Sequence, residues 1–206
     1  SNEDADPGAP DVDGAVEEPA PEPTDEVDPE DETTPPALPP CKIGEAAVGF
    51  PAAPIGTDVG NGIADFVSCL QDADGGEYNA YGYAGQVMLI NLGAGWCGPC
   101  KAEAPSIEAL YAQYKEQGLV VLMGLGEGWT RSAPADPTFL LEWRDIYKIT
   151  FATFADPSFS LMRYSTPSQA GSIPQNIIVG RDGIILYNRA GPRDLAAARV
   201  VIEGAL

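Results

Sequence analysis

Cys97 and Cys100 stand three positions apart in the run Trp96-Cys97-Gly98-Pro99-Cys100-Lys101, close enough to close a disulfide within one helical turn. If that run opens a helix, the unpaired N–H groups and partial positive charge of the helix start favour the first sulfur as thiolate, lowering its pKa by about a unit or more. Cys97, nearer the exposed end, is then the nucleophile, and Cys100, one turn deeper, is the resolving thiol that releases a mixed disulfide. Half of a zinc site is one alternative, but it needs two further ligands, and Cys41 and Cys69 do not form a second close pair. Two inert thiols are the other. Glu103 follows Cys100 at i, i+3 on the same stretch, where its carboxylate can take the proton of Cys100, or else is a solvated acid favouring the helix start.

The rest of the composition narrows the chemistry. The 206 residues contain no histidine, which removes Ser-His-Asp and Cys-His catalysis and every His-ligated metal or haem site. The net charge is −20, from 31 acids against 11 bases. Residues 1–40 hold 14 of those acids, no base and ten of the 20 prolines, so residues 41–206 carry a net of only −6. Alternating proline and acid resists collapse, and residues 1–40 read as a disordered acidic tether ahead of one domain, 41–206. Clustered lysine and arginine for nucleic-acid phosphates are missing, so no nucleic-acid partner is expected. No run reaches the roughly 18 apolar residues of a membrane span. The first residues lack the basic and apolar regions of a signal peptide, so any export leader or lipid-bearing residue would have been removed already.

Elements that would position the cysteines can be read on either side of them. Val87-Met88-Leu89-Ile90-Asn91-Leu92 is a nearly continuous apolar run, the mark of a strand buried on both faces. Residues 97–117 follow helical rules, with Ile107, Leu110, Tyr111 and Tyr114 on one face and Gly118 as the stop. Residues 119–123 read as a second buried strand, which completes a βαβ unit. A helix over 138–147 would bury Phe139, Leu140, Trp143 and Tyr147. Residues 176–179 and 184–187 flank Arg181-Asp182-Gly183 as a hairpin, and a last helix runs from about residue 193. Before the first strand, 41–86 reads as an N-terminal extension of loops, a β-like stretch at 65–70 and a turn at 72–76.

At this level of detail the chain resembles the thioredoxin-like proteins, and among them the extracytoplasmic thiol-disulfide oxidoreductases of the TlpA/ResA type. The resemblance covers about residues 63 to 206. It rests on Asp65-Phe66, the Asp74-Gly75 turn, the run from Gly85 to Asn91, the motif from Trp96 to Cys100, Lys101 to Pro105, Ser172-Ile173-Pro174 before a strand, and the Arg181-Asp182-Gly183 turn. It implies an α/β, thioredoxin-like fold: a central mixed sheet flanked by helices, here with an N-terminal β extension and the disordered acidic tail. It implies that Pro174 is cis and faces Cys97, that the Ile173 backbone pairs with the substrate chain as an added strand, and that Trp96, Gly98 and Pro99 complete the substrate-binding surface. Proteins of this type carry a functional glutamate at the position of Glu103. Pro105 matches a helix-kinking proline with no chemical role.

Three residues depart from the pattern. Asn91 stands where thioredoxin has a buried aspartate, Met123 where it has the partner lysine, and Gly93 where a large aromatic is usual, which implies a looser floor to the site. Cys41 and Cys69 bracket the start of the domain, and a structural disulfide between them would contribute roughly 3 to 4 kcal/mol in the chain-entropy model. Free thiols, or a second redox pair, are the alternatives. Polar sequence before Cys41 argues against its lipidation.

The function expected from these features is an exported, membrane-tethered thiol-disulfide oxidoreductase that reduces protein disulfides through Cys97 and Cys100. It would need no cofactor beyond that redox pair and no metal. Its partners would be protein clients and an upstream membrane reductant, it would be a monomer, and its resemblance extends to lipoproteins of cytochrome c maturation. A peroxiredoxin-type thiol peroxidase is a rival, although Ala94 stands where that class has a threonine. A non-enzymatic envelope binding module, with the tail or the 126–148 insert as the binding element, is the other.

Overall fold

The computed structural model describes residues 50–65, 79–157, 159–191 and 195–206. The tether 1–40, Cys41, Cys69, the turn at 72–76 and all but the first residue of the 65–70 stretch lie outside the described residues. Within them, five strands form one sheet: β1 (Val87–Gly93), β2 (Leu119–Leu125), β3 (Ala152–Ala155), β4 (Gln175–Val179) and β5 (Ile185–Ala190). Their order is β3-β2-β1-β4-β5, with β1, β2 and β3 parallel and β4 and β5 antiparallel, the mixed sheet of the thioredoxin-like fold. Helix α1 (Gly98–Tyr114) joins β1 to β2, α2 (Pro137–Tyr147) joins β2 to β3, and α3 (Ala196–Ala205) closes the chain. Both crossovers step the same way across the sheet, so their right-handedness puts α1 and α2 on one face.

The alternation of strand side chains divides the core in two. Val87 and Leu89 of β1 point with Val121 and Met123 of β2 into a cluster completed by Ile107 and Leu110 of α1, Leu140 and Trp143 of α2, and Ala198 and Ile202 of α3. Met88, Ile90 and Leu122 point the other way, onto Phe154, Leu161, Tyr164 and Ile63. That second face is covered by 3₁₀ turns, Ala80–Tyr83 and Ser160–Tyr164, and by residues 50–65. Every residue of β1 is buried, as its unbroken apolar run requires.

Several boundaries differ from the sequence reading for local reasons. Helix α1 gives way at Lys115 to a 3₁₀ turn, and Gly118 at φ +100° ends it. Helix α2 starts at Pro137 because Asp136 caps it, accepting the Phe139 N–H at 2.8 Å. Strand β3 was not evident, since a four-residue strand gives little periodicity. Among the described residues the N-terminal extension contributes single bridges, Ile55 to Gly62 and Gly62 to Ile184, and no strand. The Arg181-Asp182-Gly183 turn joins β4 to β5, with Gly183 at φ +81° donating to Gly180 O at 2.9 Å.

Candidate active site

Strand β1 ends at Gly93, and the chain turns through Ala94, Gly95 and Trp96 into α1. Cys97 is the residue before the helix: its backbone is extended, its N–H donates to Ala94 O at 3.1 Å, and its Sγ accepts the Cys100 N–H at 3.2 Å. The first sulfur therefore occupies the N-cap, where helix N–H groups favour a thiolate once the pair is reduced. Here the pair is oxidised, with Cys97 and Cys100 disulfide-bonded and their Cα atoms 5.2 Å apart. Cys97 is 3% exposed and Cys100 4%, so Cys97 is less open than the sequence suggested. Gly98 and Pro99 stand exposed beside it.

Trp96, Cys97, Gly98, Pro99 and Ile173 line one cleft of about 570 Å³, and Cys100 is not part of its wall. The two cysteines are equally buried, and it is Cys97 that lines the cleft. The Ile173-Pro174 peptide bond is cis. Pro174 itself lines an adjoining cavity of about 540 Å³ between α1 and α3, together with Pro99 and Glu103. The cis bond thus stands where the two spaces adjoin, with Ile173 lining the first and Pro174 the second.

Glu103 is 7% exposed, one turn beyond Cys100. Asn176 Nδ2 donates to its Oε1 at 2.7 Å, and Asn91 Nδ2 donates to its Oε2 at 3.2 Å and to Asn176 Oδ1 at 2.9 Å. Asn91 and Asn176 are register partners across β1 and β4, which places both amides beneath the helix. Burial pushes the Glu103 carboxyl above the ordinary glutamate range, and the two amide donors pull the other way. Glu103 is therefore a largely buried carboxyl held by two amides rather than a fully solvated acid. Asn91 faces Met123 across β1 and β2, so the Asp–Lys pair of thioredoxin is replaced by an amide beside a thioether. Gly93 does not loosen the floor: a Cβ there would lie 3.2 Å from Cys100 Sγ and 3.4 Å from its Cβ, so the disulfide occupies the space an aromatic would need.

A loop after β2 supplies groups that the sequence did not single out. Gly95 N donates to Glu127 O at 2.8 Å, and the Glu127 carboxylate accepts both the Trp96 Nε1–H and the Ser132 N–H. The Arg131 guanidinium lies over the Trp96 ring, 3.5 Å from its centroid. Neither residue sits in a periodic pattern, so no sequence signal reported them. Asn176 could have been found as a polar side chain opening the buried strand Asn176-Ile177-Ile178-Val179. Among the described residues, no three His, Cys, Asp or Glu side chains are grouped to hold a metal ion.

The AhpC/TSA family model matches residues 59–188. The thiol-disulfide oxidoreductase ResA of Oceanobacillus iheyensis is 35% identical over 76 residues, 37% of this chain and 32% of that protein. The chain thus spans about a third of the curated relative's length. A protein described as the thiol:disulfide interchange protein DsbE of Chlorobium tepidum superposes with a TM-score of 0.60 at 22% identity, over 73% of this chain and 99% of that one. The exposed lipoprotein thioredoxin Etrx1 of Streptococcus pneumoniae superposes at 0.54 and 23% identity, over 68% and 99%. These likenesses share the fold described above. The matched segment takes in Cys97, Cys100, Glu103 and Pro174, and the chain belongs to the AhpC/TSA family.

Proposed function

We propose that this protein is a thiol-disulfide oxidoreductase that reduces disulfides in protein clients. The observation that carries this reading is the disulfide at the start of α1, with Cys97 lining a cleft and the buried carboxyl of Glu103 one turn beyond Cys100. In the reduced protein the Cys97 thiolate attacks one sulfur of a client disulfide, forming a mixed disulfide and expelling a client thiolate. Cys100 then gives its proton to Glu103 and attacks Cys97 Sγ. The second client thiolate leaves, the Cys97–Cys100 disulfide closes, and two electrons have passed to the client, whose thiolates take up protons from Glu103 and water. The two sulfurs carry the electrons themselves, so no cofactor is needed. An external dithiol reductant must reopen the pair after each turnover.

The cis Ile173-Pro174 bond and the cleft that Ile173 shares with Cys97 support a client held as an extended strand beside the attacking sulfur, with Trp96, Gly98 and Pro99 forming the opposite wall. The names of its relatives, a thiol-disulfide oxidoreductase and an exposed lipoprotein thioredoxin, support work outside the cytoplasm. We place it there as a monomer tethered to the membrane through its acidic N-terminal segment, re-reduced by a membrane reductant and serving cytochrome c maturation. In that compartment Cys41 and Cys69 would form a structural disulfide.

Insulin reduction by the full chain with dithiothreitol tests the activity. The reading requires turnover that is abolished in Cys97→Ala, while Cys41→Ala lowers the melting temperature and keeps turnover. Turnover of hydrogen peroxide without disulfide reduction would replace this reading with a thiol peroxidase. Client capture that survives loss of both Cys97 and Cys100 would replace it with a binding module.

A further inference from the structure

Arg131 sits at the tip of the loop that follows β2, and the loop is built to keep it there. Gly128 N donates to Ala133 O at 2.8 Å, Ala135 N to Gly126 O at 3.2 Å, and Gly126 N to Gly93 O at 3.0 Å, so the hairpin is stitched to the end of β1. Ser132 at φ +66° makes the tight reversal beside Arg131. Glu127 is fully occupied by Trp96 and the Ser132 N–H. The Arg131 guanidinium carbon lies 3.5 Å from the Trp96 ring centroid, and a guanidinium stacked on an aromatic ring keeps its in-plane N–H donors available to a further partner. Arg131 lines the cleft of Cys97 and also a second, mostly apolar hollow of about 350 Å³ whose other walls include Glu127, Phe159, Met162 and Ile173. Among the described residues it is the only cation lining either space.

A chain bound in the Cys97 cleft therefore lies beside this guanidinium and the adjoining hollow that shares Trp96, Arg131 and Ile173 with it. An extended segment advances about 3.3 Å per residue, so these features fall within a few residues of the client cysteine. Resting on the proposed reductase activity, we infer that Arg131 selects client segments carrying an acidic side chain close to the disulfide cysteine, with an apolar side chain beyond it. The planar fork of Arg131 suits a carboxylate, and its stacking on Trp96 ties that recognition to the residue preceding Cys97. A basic side chain in the same place meets the like charge of Arg131.

The test measures kcat/KM for reduction of disulfide-linked peptides with Glu, Gln or Lys at one, two or three residues on either side of the cysteine. Full-length protein is compared with Arg131→Gln and Arg131→Glu; the side chain is exposed and neither change threatens folding. At the preferred position the wild-type protein should favour Glu over Lys by about three- to tenfold at low salt, the range open to exposed charge pairs, and less at high salt. Arg131→Gln should bring that ratio near one and Arg131→Glu should invert it. A ratio that the substitutions do not move, or a wild-type preference for Lys, overturns the assignment while leaving the reductase reading intact. Failure to reduce any of the peptides overturns the reductase reading itself.

Discussion

Asn176 donates its side-chain amide to Glu103 Oε1 at 2.7 Å, tying the strand that follows Pro174 to the helix that carries both sulfurs of the redox pair. The bond anchors a carboxyl that burial pushes above the ordinary glutamate range and partly offsets that push. Removing the donor in Asn176→Ala should push the Glu103 pKa higher still. The pH profile of mixed-disulfide resolution should move upward with it, and stability should fall by about 1 to 3 kcal/mol for a buried acceptor left short of a partner. An unmoved pH profile would show that Glu103 takes no part in resolution.

Glu103→Gln separates the proton acceptor from the shape of the side chain. Resolution of the mixed disulfide should slow by about a hundredfold near neutral pH, with the first attack by Cys97 nearly unchanged, as measured by rapid mixing. Equal slowing of both steps would point to damage at the helix start.

The same substitution predicts a pH signature in stability. The folded chain binds the Glu103 proton more tightly than the unfolded chain. Its contribution to stability is therefore complete below the ordinary glutamate pKa and is lost as pH rises through the raised folded value. Denaturant unfolding of the wild type, referenced to Glu103→Gln, should show stability falling as pH rises across that window. A difference that rises instead would mean that Asn91 and Asn176 outweigh burial.

Gly93 gives a packing test. A Cβ there already approaches Cys100 Sγ to 3.2 Å, so Gly93→Ala should be tolerated with a small loss. Gly93→Phe should cost about 1 to 3 kcal/mol in the oxidised protein, the usual range for overpacking. Thermal melts of the oxidised forms check the order. A neutral Gly93→Phe would restore the looser floor expected from sequence.

Much of this arrangement is legible in the residues alone, because it is local. The unbroken run of β1 announced a strand buried on both faces, and the spacing of Ile107, Leu110 and Tyr114 set the inner face of α1. The cysteines lie where strand passes to helix, so their chemistry followed from position. What escaped notice depends on contacts between distant segments. Asn91 and Asn176 meet through a register 85 residues apart in sequence, and Arg131 reaches Trp96 only because Gly95 is bonded to the Glu127 backbone. In the N-terminal extension glycine and proline interrupt any ladder, so Ile55 and Gly62 make only isolated bridges among the described residues.

Trapping with Cys100→Ser tests the central claim most directly. The reduced variant, mixed with a protein disulfide, should accumulate a covalent adduct that mass spectrometry maps to Cys97 and that dithiothreitol releases, while Cys97→Ser forms none. No adduct, or an adduct on Cys41 or Cys69 with Cys97 left free, would contradict the assignment of Cys97 as the attacking sulfur and with it the proposed reductase mechanism.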